Sequence, residues 1–275
     1  MGWAQRLLRI DRRVIFLLVA ALTLAFIVHP VGLALRVSPE VRHIYDYFEK
    51  LPEGSVFLLS MDFDPASKPE LAPMAVALLR HAFVKKLRVM VMTLWVTGTG
   101  LAESIVTSTA KEAGKVPGKD YVFLGYAVGA ANVILNMGQD MSKVFPKDYY
   151  GKPIESLPMM QGIKTLRDVQ YAISLGAGSP GVETWYIFGK EKYGFELGGG
   201  VTAVSAAGLY PLLQTGQING LIGGLRGAAE YEALVGQKGK ATAGMDAQSA
   251  THVLIVVLIV LGNVGYLASR RWEAR

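Results

Sequence analysis

The chain has 275 residues, 51% of them in the hydrophobic set, a mean hydropathy of +0.32 and no cysteine. That excludes disulfides, thiolate catalysis and cysteine metal sites. Of the net charge of +6, Arg6, Arg9, Arg12 and Arg13 against Asp11 give residues 1–13 a share of +3, and Arg270, Arg271 and Arg275 against Glu273 give residues 269–275 +2. The remainder carries +1, so no basic face for nucleic acid is expected.

Residues 14–35 are almost unbroken apolar sequence up to His29 and Pro30. As a helix they would span roughly 33 Å, the thickness of a hydrocarbon core. A basic start and the small residues at Gly32 and Ala34 also fit a cleaved signal peptide; length favours a retained anchor. Residues 252–268 are a second apolar stretch, with Leu254–Leu261 leaving no polar face. Arginine-rich outer flanks place both termini in the cytoplasm of an inner-membrane protein, with the intervening domain outside. The expected division is residues 1–36 as basic tail and anchor, 37–249 as an extracytoplasmic domain, and 250–275 as anchor and basic tail. Asn263 between Gly262 and Gly265 predicts close helix association, with Thr23 or Gly32 of the first anchor or a neighbouring subunit.

Residues 37–51 form an amphipathic connector broken by Pro52 and Gly54. A strand follows over 55–61. Ser67 and Glu70 suggest a capping box opening a helix to Lys86, although Pro73 would start it a turn later. His81, beside Arg80, is expected on its solvated side. Strands at 87–96 and 120–126 are followed by helices at 101–113 and 128–145. Residues 146–167 break the rhythm with three prolines and form a possible sub-boundary. The pattern resumes with a strand at 168–175 and a helix in which Ser179 is N-cap and Pro180 is N1. Strands at 201–206 and 218–222, a short helix at 209–214 and a helix at 226–234 complete the domain. Residues 237–248 read as a flexible linker. Alternating strands and helices predict a doubly wound, mostly parallel, Rossmann-like sheet of about six strands.

Candidate chemistry falls at strand ends, where open α/β sheets bind ligands. Asp62 and Asp64 end the first strand. This Asp-x-Asp resembles the first motif of haloacid-dehalogenase-like phosphatases, which implies a metal-dependent phosphoester hydrolase; the later acidic residues of that motif set are missing here. The same residues read as turn and cap chemistry. Residues 177–181 resemble a variant nucleophile elbow of α/β-hydrolases around Ser179, but Pro180 supplies no N–H to an oxyanion hole. Thr97, Gly98, Thr99 and Gly100 form one glycine loop, and Gly176, Gly178 and Ser179 another. Both could offer backbone N–H groups to an anion. Neither completes a dinucleotide fingerprint or a P-loop, so no cofactor and no metal are expected. The reading that results is a non-enzymatic, membrane-anchored scaffold or subunit. Its partners would be the bilayer and either further copies of itself or other membrane proteins. A small-anion sensor using the glycine loops and the hydrolase are the alternatives.

Overall fold

The computed structural model describes residues 10–33 and 36–273. The chain divides into two compact units, residues 35–241 and residues 1–34 with 242–275. Arg6, Arg9, Ala34, Leu35 and Arg275, used in reading the anchors, lie outside the described residues.

The larger unit opens with α1 (Pro39–Lys50), followed by β1 (Val56–Asp62), α2 (Lys68–Val84), β2 (Arg88–Thr93), α3 (Thr99–Glu112), β3 (Tyr121–Tyr126) and α4 (Ala130–Met137). Then come β4 (Tyr171–Gly176), α5 (Val182–Trp185), β5 (Glu196–Val201), α6 (Ala203–Gln214), β6 (Leu221–Gly223) and α7 (Gly224–Leu234). The strands form one parallel sheet of six in the order β3-β2-β1-β4-β5-β6. This is the expected Rossmann-like architecture. Every residue of β1 is buried, as a central parallel strand covered on both faces requires. Leu58, Met90, Val122 and Leu197 pack on one face with Val133 of α4 and Trp185 of α5. Phe57 takes the other face, where its ring meets Phe48 of α1 at 4.9 Å.

Several expectations are corrected. The fifth strand runs over Glu196–Val201, and the residues read as that strand mostly belong to α6. Gly198, Gly199 and Gly200 carry little β propensity, yet burial demands them. A Cβ at Gly198 would come within 2.7 Å of the Tyr171 hydroxyl, and one at Gly200 would run into the Leu175 side chain. The helix expected over 128–145 ends at Met137, with Gly138 packed under the Tyr193 ring, and a short turn follows at Met141–Val144, capped by Asp140. Ser67 makes no side-chain cap to α2; Glu70 accepts instead from Ala203 N–H at 2.8 Å. His81 is buried, at 4% exposure, between helices.

Residues 146–167 carry only short 3-10 turns and lie along the sheet's β3 side. Tyr149 N–H donates to Phe123 O at 2.9 Å, Met159 N–H to Gly118 O at 3.0 Å, and Arg88 Nη1 to Gln161 O at 2.8 Å.

In the smaller unit the N-terminal helix is Arg12–Val28, 17 residues opened by Asp11, whose carboxylate accepts from Arg13 N–H at 2.8 Å. At roughly 26 Å it is shorter than the expected span. Pro30 disfavours a helical His29, Gly32 turns the chain at φ 73°, and Asp246 takes the Gly32 and Leu33 N–H groups at 2.6 and 2.9 Å. Among the described residues one helix is long and apolar enough to cross a membrane, residues Lys240–Ser269 of the C-terminal helix Lys240–Glu273. The expected linker is therefore largely helix. Glu232 fixes its start by accepting Gly239 and Ala241 N–H at 2.9 and 3.1 Å. Thr23 does meet the C-terminal helix, at Thr251 Oγ1 (3.0 Å), and Gly32 meets Asp246. Asn263 instead donates to Ile259 O of its own helix at 2.9 Å.

Candidate functional site

The sheet order reverses between β1 and β4, so these neighbours begin crossovers to opposite sides. This is where a crevice opens at the carboxyl ends of a doubly wound sheet. Asp62 pairs in register with Gly176 there. All nine residues of the sequence-based proposal come together on this one edge.

Asp62 points inward. Its side chain is fully buried, and each oxygen is held by two donors. Oδ1 accepts from Ser60 Oγ (2.8 Å) and Leu94 N–H (2.7 Å), and Oδ2 from Ser174 Oγ (3.0 Å) and Trp185 Nε1 (3.3 Å). Four donors fill the acceptor positions of a carboxylate. Burial pushes its pKa up to about 6, against the pull of those hydrogen bonds. The group ties β1, the end of β2, β4 and α5 into one polar knot. Asp64 is half-exposed, and its Oδ1 accepts the Ser67 N–H three residues on at 3.2 Å, a local turn contact.

Trp95 crosses the crevice. Its indole N–H donates to Pro180 O at 2.7 Å, and its own backbone N–H is taken by Thr93 Oγ1 at 3.0 Å. Gly98 packs so closely that a Cβ would strike the Phe63 carbonyl, and a Cβ at Gly181 would strike the Gly178 carbonyl. Gly176 is buried against Gly181. These glycines answer to close packing of three loops. Thr99 Oγ1 bonds back to Val96 O at 2.9 Å. Thr97, Gly100, Gly178 and Ser179 remain exposed on the rim.

The helix after β4 starts at Val182, not at Pro180. Gly181 is its N-cap, and the Gly181 N–H donates to Thr184 Oγ1 at 3.3 Å. Ser179 and Pro180 lie in the loop, joined by a cis peptide bond. Trp95, Trp185, Ser60 and Ser174 were not singled out from the sequence. Two serines inside otherwise apolar strands were the available signal, since buried hydroxyls need partners.

A second buried polar group lies where α1, α2 and α7 meet. His81 Nδ1 is 2.7 Å from the Tyr231 hydroxyl and Nε2 is 2.8 Å from Glu49 Oε1. Its ring stacks on Tyr45 and Phe48 at 4.9 Å. Burial pushes the His81 pKa down, opposed by Glu49. Among the described residues no three His, Asp or Glu side chains gather to hold a metal.

No protein-family model matches the chain, and no curated protein matches it. Among solved structures, a trehalose-6-phosphate synthase, OtsA, is similar over 89% of this chain and 48% of its own, at 9% identity and a TM-score of 0.27. The chain thus spans about half the length of that structure. A likeness at this level carries no argument about substrate or site.

Proposed function

We propose that the protein is a membrane-anchored scaffold or subunit whose Rossmann-like domain serves assembly and not catalysis. The observation that carries this reading is the filling of the switch-point crevice by the chain's own groups. The acid that a hydrolase would present to a metal faces the core with four donors on it. The Trp95 indole joins the two loops between which a ligand would sit. A domain that spends its ligand edge on internal bonds retains a rigid surface for partners.

The long apolar C-terminal helix supports anchoring. The shorter Arg12–Val28 helix would insert beside it, its Thr23 and the Gly32 turn held by Thr251 and Asp246. Arginine flanks on both segments favour cytoplasmic termini and an extracytoplasmic domain. The anchoring partners are then the bilayer and further copies of this chain or other membrane proteins. Native mass spectrometry of the full chain in mild detergent tests the reading. Species at multiples of 29.7 kDa, or a stoichiometric co-purifying membrane protein, are expected. A bare monomer at micromolar concentration would sink it.

The anion-sensor reading retains one supporting observation. Thr97, Gly100, Gly178 and Ser179 stay exposed along one edge.

A further inference from the structure

A groove of about 400 Å³ lies between α2, α3 and the segment that follows α7. Its floor is apolar, made by Ala72, Val76 and Ala77 of α2 with Leu101 and Ile105 of α3. Its rim is cationic. Lys68 and Arg80 stand on the α2 side, and Lys238 and Lys240 on the opposite side. A neighbouring depression of about 760 Å³ shares Arg80 and Lys238 and adds Lys86 and Lys115.

The unit that carries this groove has 21 Lys and Arg against 19 Asp and Glu, and four of those cations line the groove against two of the acids. Both acids that line the groove have partners of their own, and Arg80 is one of those partners. Glu112 holds Arg80 at 2.8 Å, and Glu232 takes the Gly239 and Ala241 N–H groups that open the C-terminal helix. Neither Lys68 nor Lys240 makes an ion pair among the described residues. Like charges gathered round one concavity repel one another and raise the local concentration of anions. Ser104 and Gln237 add neutral hydrogen-bonding groups at the same rim.

We propose that this groove binds a phosphate-bearing anion, with Lys68 and Lys240 on the phosphate, beside the Arg80–Glu112 pair, and the attached organic group on the apolar floor. The volume suits a small organic phosphate or a phospholipid headgroup. Both offer the same chemistry, a phosphate ester on a short carbon chain that fits a cavity of this size. Lys240 is also the first residue of the C-terminal helix, so lipid headgroups are tested beside soluble phosphates. Carboxylates would engage the same cations, but a phosphate carries more oxygens for a ring of separate donors. The site is distinct from the switch-point crevice and shares no residue with it.

The test uses the full chain and reads the melting temperature. In neutral detergent it is titrated with inorganic phosphate and with glycerol 3-phosphate. In parallel it is placed in nanodiscs of phosphatidylcholine alone or with phosphatidylglycerol. At least one phosphate arm should stabilise the wild type. Lys68→Glu/Lys240→Glu should need about tenfold more ligand, or higher, for the same rise, as expected for lost charge-assisted bonds. A response to the soluble phosphates assigns a free ligand; one confined to phosphatidylglycerol assigns a lipid headgroup. Lys68→Ala/Lys240→Ala, which removes charge without reversing it, should weaken the response by a smaller factor and controls for misfolding. No rise in any arm, or both double variants responding like the wild type, overturns the proposal. A monomer by native mass would leave this site standing, and a silent groove would leave the scaffold reading standing.

Discussion

Trp95 and Pro180 are joined by a 2.7 Å hydrogen bond from the indole N–H to the proline carbonyl, across the point where the sheet changes direction. The loops after β2 and β4 are thereby fastened over Asp62. Trp95→Phe keeps an aromatic ring, though a smaller one, and loses this bond, which should cost about 1 kcal/mol or more. The check is the melting temperature of the purified protein, with Trp95→Ala falling further. A Trp95→Phe variant as stable as the wild type would mean that the two loops are held by packing alone.

Asp62 should make stability fall as pH rises. Its native pKa, raised to about 6 by burial, lies above an ordinary carboxylate value of 3.8. The native state therefore binds the proton more tightly than the unfolded chain. Its contribution is fully present below the unfolded value and lost as pH climbs through about 6, a swing of ~3 kcal/mol. Melting curves of wild type and Asp62→Asn between pH 4 and 8 should diverge with that sign. Asp62→Ala should cost most at pH 4 and less at pH 8, and it leaves the Leu94 and Trp185 N–H groups buried and unpaired, a loss of about 1–3 kcal/mol each.

His81 works in the opposite direction. Burial holds its native pKa below the ordinary 6.5, so the unfolded state takes the proton first. The stability that it contributes is present above that ordinary value and is lost as pH falls through the native one. His81→Phe, which fits the stack between Tyr45 and Phe48, should remove this slope. It should also strand the Tyr231 hydroxyl, whose burial is complete. A slope below neutral pH identical in both proteins would assign it to other groups.

The glycines of the rim divide by packing. Gly98→Ala forces a methyl into the Phe63 carbonyl and should cost about 1–3 kcal/mol. Gly100 meets nothing within 4 Å of a built Cβ. Gly100→Asp should therefore fold normally, gaining about 0.3–1 kcal/mol from the acid near the N-terminus of α3. If the glycine loops bind an anion such as ADP, that same substitution should abolish the ligand's thermal stabilisation. This makes Gly100→Asp the cleaner probe of the sensor reading.

Topology can be read directly because the chain lacks cysteine. Val204 at the start of α6 is 90% exposed, so Val204→Cys presents a thiol without disturbing the core. A membrane-impermeant maleimide should label it in intact spheroplasts. Labelling only after lysis would place the domain in the cytoplasm.

The alternation of apolar strands with helices was enough to read the class of fold and the position of β1 to β4 within a few residues. Those signals are local, since a strand buried on both faces must be apolar along its length. The long apolar C-terminal helix was legible for the same reason. What the chain does with its glycines was not. Gly198–Gly200 fell outside the strand expected at 201–206, because small residues have weak local preferences. They form a strand because Tyr171, Val182 and Leu175 press onto that backbone from elements distant in sequence. Asp62 could be placed at a strand end from sequence, but not its direction. Only the packing of Ser60, Leu94, Ser174 and Trp185 around it turned an apparent ligand group into an internal tie. The break after Val28 followed from Pro30 and from a carboxylate, Asp246, more than two hundred residues away. The cationic groove was invisible in the same way, for Lys68, Arg80 and Lys240 converge only when α2, α3 and the end of α7 are packed side by side.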